Sequence, residues 1–416
     1  MQEPSQPIDW LNIGQLIVGL MGCLISFILA IALFLLGLAA HVNSTLSQQA
    51  IPLFMLAGLM TAVGFLNIPS VVFAIRRLSN RPTLTSHGLS PLKLASLSLI
   101  ALPFILIGGN FISQTPAAWW ALPSLNVLAL LIPIWWIVEF GRHNLPTGSA
   151  QRSWGLVSVG LTITPIVTML VELVVMLGII VLVFLAMGSS PVWVENFRQL
   201  FNQLSQSNFD LNTLDSFLQG LVSNPLVLIV LLITLGGIMP LIEELLKPLG
   251  LWLIRKQILS PAEGFSAGLI CGAGFAFIES ATLIAEAGAS DWALTVLMRI
   301  GTSLLHITVS GLMGWGLASA WTQKRNGRFF LSLLASVGLH GLWNTLAVVL
   351  AVAPSTSGTA TLSNFLQSSM GIEVILMAVV VIALVTVLFL INRRLQKEPL
   401  AVTIPFQALP PSSFLE

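Results

Sequence analysis

Charged side chains are scarce in this sequence. Asp, Glu, Lys and Arg make up 8% of the 416 residues, whereas soluble domains carry about 25%. The formal net charge of +1 gives no basis for nucleic-acid binding. The two cysteines, Cys23 and Cys271, lie in apolar runs, so they indicate small core residues and exclude a disulfide framework or zinc knuckle. Because 56% of the residues are hydrophobic, we expect an integral membrane protein.

The N-terminus also lacks the basic region of a signal peptide. Its first ten residues, MQEPSQPIDW, contain no lysine or arginine, and the following apolar run is too long for a signal-peptide core. We therefore expect that run to be a retained span.

Long apolar segments fill most of the chain. A membrane-spanning helix needs roughly 20 apolar residues, and the qualifying segments are 13–40, 51–75, 92–112, 122–140, 154–187, 224–254, 262–286, 297–321, 330–352 and 371–391. The sequence thus predicts an all-α, polytopic membrane helix bundle with about ten transmembrane helices. The sixth segment contains Pro240, where a tilt, kink or break is expected.

Basic residues are distributed unevenly between the two sides of the predicted bundle. When the loops are assigned alternately, one side holds 15 lysines and arginines and the other holds only Arg198 and Arg299. Because lysine and arginine concentrate in cytoplasmic loops, both termini are predicted to be cytoplasmic. The expected location is the cell inner (plasma) membrane.

Polarity divides the chain into four parts. Residues 1–187 are an N-terminal five-span region, and 188–223 are an extracytoplasmic loop with Phe and Leu at the spacing of amphipathic surface helices. Residues 224–352 form a core of four spans, and 353–416 hold the tenth span and a cytoplasmic tail. Ionisable groups concentrate between 243 and 340, so we place the function in the core.

Several ionisable side chains interrupt the apolar spans of this core. They are Glu243, Glu244, Lys247, Glu279, His306 and His340. A charge at a helix centre costs about 2.5–3.5 kcal/mol on insertion scales, so such a group is a functional hypothesis by default. On one helix, Lys247 reaches either glutamate, which leaves the other as a base for water. The structural alternative is an ion pair that only joins two helices.

The next spans bring further polar groups. Gly264, Gly268 and Gly272 recur every four residues, which predicts close approach of another helix. Asn344 lies one helical turn after His340, so an amide donor shares a face with an imidazole. A lone histidine in a bundle more often makes a helix–helix hydrogen bond than a catalytic contact.

This set of residues suits peptide hydrolysis. Glu243 or Glu244 can activate water, while Asn344 and a histidine stabilise the oxyanion. In a second arrangement, Glu279, His306 and His340 bind a zinc ion and Glu244 acts on the bound water. The sequence has no H-E-x-x-H motif, so the helical zinc-protease geometry is not expected.

Four motifs in this order resemble the PrsW family of bacterial membrane proteases. They are EELLK (243–247), GFAFIES (274–280), His306 and HGLWN (340–344). The family is related to the CAAX-processing and bacteriocin-processing proteases, and the resemblance covers about residues 235–350. It implies an intramembrane metallopeptidase that cleaves membrane-anchored protein or peptide substrates. The namesake resembles a site-1 protease that trims a membrane-anchored anti-sigma factor.

The resemblance also implies roles for individual residues. Glu243 and Glu244 match the essential glutamate pair and Lys247 the basic residue after it. Phe275 and Glu279 match the second motif. His306, His340 and Asn344 match the two histidines and the last polar residue. The CAAX-type relatives carry a histidine where this chain has Glu279, and a metal-free, glutamate-activated water has been argued for them.

Other functions compete with this interpretation. GFSAG (264–268) fits the G-x-S-x-G pattern of serine hydrolases, but that motif needs a strand-to-helix elbow and here opens an apolar helix. A proton- or ion-coupled transporter would use buried ionisable groups, and Glu172 and Pro240 are its best features. A non-catalytic membrane scaffold is the third alternative, and the full glutamate and histidine set argues against it.

Overall fold

The structure, a computed structural model, describes residues 10–43, 46–81, 90–187, 225–258, 260–289, 291–352 and 360–398, with the isolated residues 195, 198 and 202. Helices make up these ranges, and no strand occurs within them. Ten helical segments of the described chain are long and apolar enough to cross a membrane. The predicted fold class and span count are therefore confirmed.

Three of the ten spans consist of more than one helix. The first four spans are α1 (Trp10–Val42), α2 (Ala50–Leu78), α3 (Pro91–Ser98) with α4 (Leu102–Ser113), and α5 (Ala118–Gly141). The fifth and sixth are α6 (Ala150–Leu161) with α7 (Ile163–Met187), and α8 (Pro225–Ile233) with α9 (Met239–Leu246) and α10 (Leu249–Leu253). The last four are α11 (Pro261–Ala287), α12 (Trp292–Gln323), α13 (Asn326–Val352) and α14 (Ala360–Leu395).

Local sequence explains where α11 begins. Ser260 is its N-cap, and the Ser260 hydroxyl accepts a hydrogen bond from the Glu263 backbone N–H at 3.2 Å. Pro261 follows in the first turn, where a missing N–H costs nothing. At its other end, α11 ends at a glycine with positive φ, Gly288.

The sixth span is interrupted on both sides of its glutamate pair. A single π-helical turn, Thr234–Ile238, separates α8 from α9, and Pro240 lies in the first turn of α9. Pro240 has no N–H to continue the α-helical ladder, which explains a break at this point. Pro248 then separates α9 from α10. The expected interruption near Pro240 is thus present as a π-turn.

Helices α11 and α12 form the buried centre of the bundle, and small residues hold them together. A Cβ atom added at Gly264 would lie 2.2 Å from the Ala318 Cβ, and one at Gly268 would lie 2.2 Å from the Ser310 carbonyl oxygen. One at Gly272 would meet the His306 carbonyl oxygen at 2.7 Å. The predicted glycine face therefore does admit a neighbouring backbone.

The N-terminal spans pack against this centre. Helices α2, α5 and α6 all contact α11. At the closest point, a Cβ added at Gly274 would lie 2.8 Å from the carbonyl carbon of Gly160. The second, fourth and fifth spans therefore pack directly against α11.

Part of the predicted organisation is not described by the structure. The amphipathic loop 188–223 lies outside the described residues apart from positions 195, 198 and 202. The cytoplasmic placement of both termini and the four-part division of the chain remain predictions.

Candidate active site

Spans six to nine bring most of the predicted site residues together in one buried cluster. Glu243, Glu244 and Lys247 come from the end of α9, His306 from α12 and His340 from α13. Glu244 and Lys247 have no exposed surface, and His306 and His340 are each 1% exposed. Isolated ionisable groups are rarely placed in this way, because burying an unpaired charge is costly.

Lys247 is the centre of the cluster. Its Nζ lies 2.6 Å from Glu244 Oε1, 3.0 Å from Glu243 Oε2 and 2.7 Å from His306 Nδ1. An ammonium group has three N–H donors, and each has an acceptor here. Both glutamates therefore contact the lysine, whereas the predicted pairing involves only one of them.

Glu244 has one engaged and one unengaged carboxylate oxygen. Its Oε1 accepts from Lys247 and lies 2.9 Å from His340 Nδ1. Its Oε2 is buried and makes no hydrogen bond to any described residue. The carboxylate is thus held at one oxygen and left open at the other.

Glu279 joins the cluster through His306. Its Oε2 lies 2.5 Å from His306 Nε2, and its Oε1 accepts from Arg299 Nη2 at 2.8 Å. His306 therefore lies between the lysine on one side and Glu279 on the other. Arg299 is not among the predicted site residues, although its place seven residues before His306 puts both on one helix face.

Asn344 makes a different contact from the one expected. Its Nδ2 donates to the Leu235 carbonyl oxygen at 3.0 Å, within the π-turn of the sixth span. A Cβ added at nearby Gly341 would lie 1.9 Å from the Gly236 carbonyl oxygen, so α13 and the π-turn are in backbone contact. Asn344 therefore anchors the segment that leads into α9.

One carboxylate and two imidazoles of the cluster are close enough to share a metal ion. One ligand atom each from Glu243, His306 and His340 lie within 4.8 Å of one another. The predicted metal ligands include Glu279, whereas the carboxylate that approaches both histidines here is Glu243. Two histidines and a glutamate are the ligand set of catalytic zinc sites that leave a fourth position open.

The buried polar atoms of the cluster fit a bound cation. Glu243 Oε2 is buried 3.0 Å from Lys247 Nζ, and Glu279 Oε2 and His306 Nε2 are buried facing each other. Glu244 Oε2 is buried and makes no hydrogen bond to a described residue. Buried polar atoms normally have partners, so this oxygen suits a metal or water. Lys247 is the competing charge, because it contacts both Glu243 and His306.

Comparison with known proteins identifies the family. Residues 164–388 match the PrsW family intramembrane metalloproteases, over more than half of the chain. This chain belongs to the PrsW family. It is therefore an intramembrane peptidase and a multi-pass membrane protein. Membership implies membrane-embedded protein substrates, and the family name implies a metal. No curated protein and no solved structure matches the chain.

Membership of the PrsW family decides between the earlier alternatives. The match begins at residue 164, so it includes α7 and extends on both sides of the four motifs. Ser266 of GFSAG is fully buried inside α11, without the strand-to-helix elbow that a serine nucleophile needs. Glu172, the main feature of the transporter hypothesis, lies half-buried on α7 within the matched region.

Proposed function

We propose that Glu244 is the general base of this peptidase. The observation that carries the proposal is the split environment of its carboxylate, with Oε1 held by Lys247 and Oε2 unengaged by any described residue. A water at Oε2 would lose a proton to Glu244 as its oxygen bonds to the carbonyl carbon of the substrate. Glu243 is less suitable as the base, because it belongs to the group of potential metal ligands.

The neighbouring residues support this reaction. Lys247 Nζ donates a charge-assisted hydrogen bond to Glu244 Oε1 and so fixes the orientation of the carboxylate. His340 Nδ1 lies 2.9 Å from Glu244 Oε1, which is within hydrogen-bonding distance. Glu244 can then pass the proton taken from water to the leaving amine as the carbon–nitrogen bond breaks, which balances the reaction.

Zinc is our proposal for the metal that the family implies. Glu243, His306 and His340 would hold it, because their ligand atoms approach one another and their types match catalytic zinc sites. Bound there, zinc would act as a Lewis acid that polarises the substrate carbonyl. The inner (plasma) membrane is the proposed location, and the substrates are membrane-anchored proteins or peptides.

Replacing Glu244 by Gln tests the base. We expect cleavage to fall by about 10²–10⁴-fold, since Gln keeps the shape of the side chain but cannot accept a proton. The measurement compares membranes of cells that express either protein and maps new N-termini of membrane-protein fragments by mass spectrometry. The matched control is Glu139→Gln, which alters another buried glutamate whose partner is Arg142.

Two outcomes would contradict the assignment. Wild-type cleavage by the Glu244→Gln protein, together with loss in Glu243→Gln, would make Glu243 the base. Equal losses in Glu244→Gln and the Glu139→Gln control would mean that the loss reflects general damage to the fold.

Elemental analysis of purified protein tests the metal and its ligands. We expect about one zinc ion per chain, lost in Glu243→Ala and His340→Ala and retained in Glu279→Ala. The opposite pattern for the two glutamates would restore Glu279 as the carboxylate ligand. Cleavage by protein that contains no metal would favour a mechanism with glutamate and water alone.

A further inference from the structure

A second cavity lies at one end of the bundle, away from the catalytic cluster. It has a volume of about 480 Å³ and opens between α1, α2, α6 and α10. Its charged lining residues are Arg76, Arg77, Arg81 and Arg152. No Asp or Glu is present among the described residues that line it, and none of the catalytic cluster lines it.

The inner wall of this cavity is held in place by amide side chains. Gln15 Nε2 donates to the Gln151 carbonyl oxygen at 3.1 Å and to Ser70 Oγ at 3.2 Å. Gln151 Nε2 in turn donates to Asn12 Oδ1. These contacts connect α1, α2 and α6, so the cavity is formed before any ligand enters.

Arg152 has a largely buried side chain. Its side chain is 8% exposed. Its Nη1 donates to the Gln257 carbonyl oxygen at 2.9 Å, and Nη2 lies 3.3 Å from Glu263 Oε1. Its Nε is buried and has no hydrogen-bond partner in the described chain. The guanidinium is thus fixed in position with a donor still unused.

The charges of the cavity favour an anion. Four guanidinium groups line it, and the Glu263 carboxylate that contacts Arg152 lies outside the lining. Like charges held together beside the low-dielectric interior of a bundle repel one another, and a bound anion relieves that repulsion. Arginine binds phosphate oxygens through two parallel N–H groups, which makes phosphate the best-matched anion.

Apolar side chains complete the lining. Trp10, Leu11, Val18, Phe73 and Leu253 lie beside the arginines. A free phosphate ion gains nothing from these groups, whereas an amphiphile buries acyl chain against them. The helix ends that form the cavity also belong to the side that the distribution of basic residues predicts to be cytoplasmic. Basic pockets between spans on that side bind anionic lipid headgroups.

We propose that this cavity binds the phosphate headgroup of an anionic phospholipid. The site is separate from the catalytic cluster in its residues but is connected to it along the chain. Gly250 lines the cavity and lies three residues after Lys247, on the helix that follows the glutamate pair. A bound lipid therefore contacts α10, the short helix that directly follows the segment carrying the proposed base.

Lipid binding by the purified full-length chain tests the proposal without any substrate. The protein in neutral detergent is titrated with fluorescent phosphatidylglycerol, fluorescent phosphatidylcholine and inorganic phosphate in parallel. The test variant is Arg77→Gln/Arg81→Gln, because both side chains are exposed and their replacement spares the fold. The control is Lys324→Gln/Arg325→Gln, which removes two exposed positive charges from the turn between α12 and α13.

We expect phosphatidylglycerol to bind the wild type and the control equally. The test variant should bind it about 25-fold more weakly, since each basic residue near an anionic headgroup contributes about a factor of five. Competition by inorganic phosphate at concentrations similar to the lipid would assign the site to a soluble phosphate and overturn the lipid assignment. Equal binding of phosphatidylcholine, or equal weakening in both variants, would also overturn the proposal.

Discussion

Replacing Gly268 by Ala tests whether the α11–α12 contact positions the catalytic groups. The new Cβ would lie 2.2 Å from the Ser310 carbonyl oxygen, 3.0 Å from its carbonyl carbon and 3.1 Å from the Gly311 Cα. All three atoms are backbone, so no side-chain rotation relieves the contact. Non-bonded heavy atoms settle at about 3.5 Å, so the two helices must separate by on the order of 1 Å.

That separation acts directly on the site. Ser310 lies one helical turn after His306, and Glu279 is on the opposite helix, 2.5 Å from His306 Nε2. Overpacking costs about 1–3 kcal/mol of stability, and a 1 Å displacement of reacting groups can cost about 10²-fold in rate. We therefore expect a lower unfolding temperature together with a loss of cleavage of about 100-fold.

The assay measures cleavage of a membrane-anchored reporter and thermal unfolding in detergent for each variant. The matched control is Gly338→Ala on α13, where an added Cβ meets no atom within 4 Å. The control should cleave like the wild type. Gly268→Ala protein with wild-type cleavage and unfolding temperature would refute the idea that this contact positions His306.

Two further substitutions probe contacts around the cluster. Arg299→Met should lower stability by about 1–3 kcal/mol, because Glu279 Oε1 loses its donor. The double variant Arg299→Met/Glu279→Gln should recover part of this loss in thermal unfolding. An Arg299→Met protein as stable as the wild type would contradict the prediction. Asn344→Ala should lower stability by about 1 kcal/mol and slow reporter cleavage several-fold, because the Leu235 carbonyl loses its partner. Complete loss of cleavage in folded Asn344→Ala protein would instead indicate that Asn344 stabilises the oxyanion.

The periodicity and spacing of residues along the chain are enough to predict much of the fold around this site. The ten spans followed from hydropathy, and the contact of Gly264, Gly268 and Gly272 with α12 followed from their four-residue repeat. The spacing on one helix predicts that Lys247 pairs with one of the two glutamates, since residues three and four apart share a face, and the structure shows contacts with both.

Contacts between spans were harder to predict, because they depend on how each helix is rotated about its axis. The π-turn at Thr234–Ile238 adds to this difficulty, since it changes the face that α9 presents relative to α8. Glu243 rather than Glu279 approaches both histidines, and Asn344 meets the π-turn instead of the cluster. No residue pattern along the chain predicts how each helix is rotated about its axis.

The order of the spans has a consequence for synthesis of the protein in the membrane. Glu279 and Arg299 lie on α11 and α12, which are only four residues apart in sequence. Their ion pair can therefore form within a helical hairpin of sequence neighbours, which lowers the cost of inserting either charge. His340 enters only with the ninth span. A partly synthesised chain that ends before the ninth span accordingly lacks one member of the buried cluster.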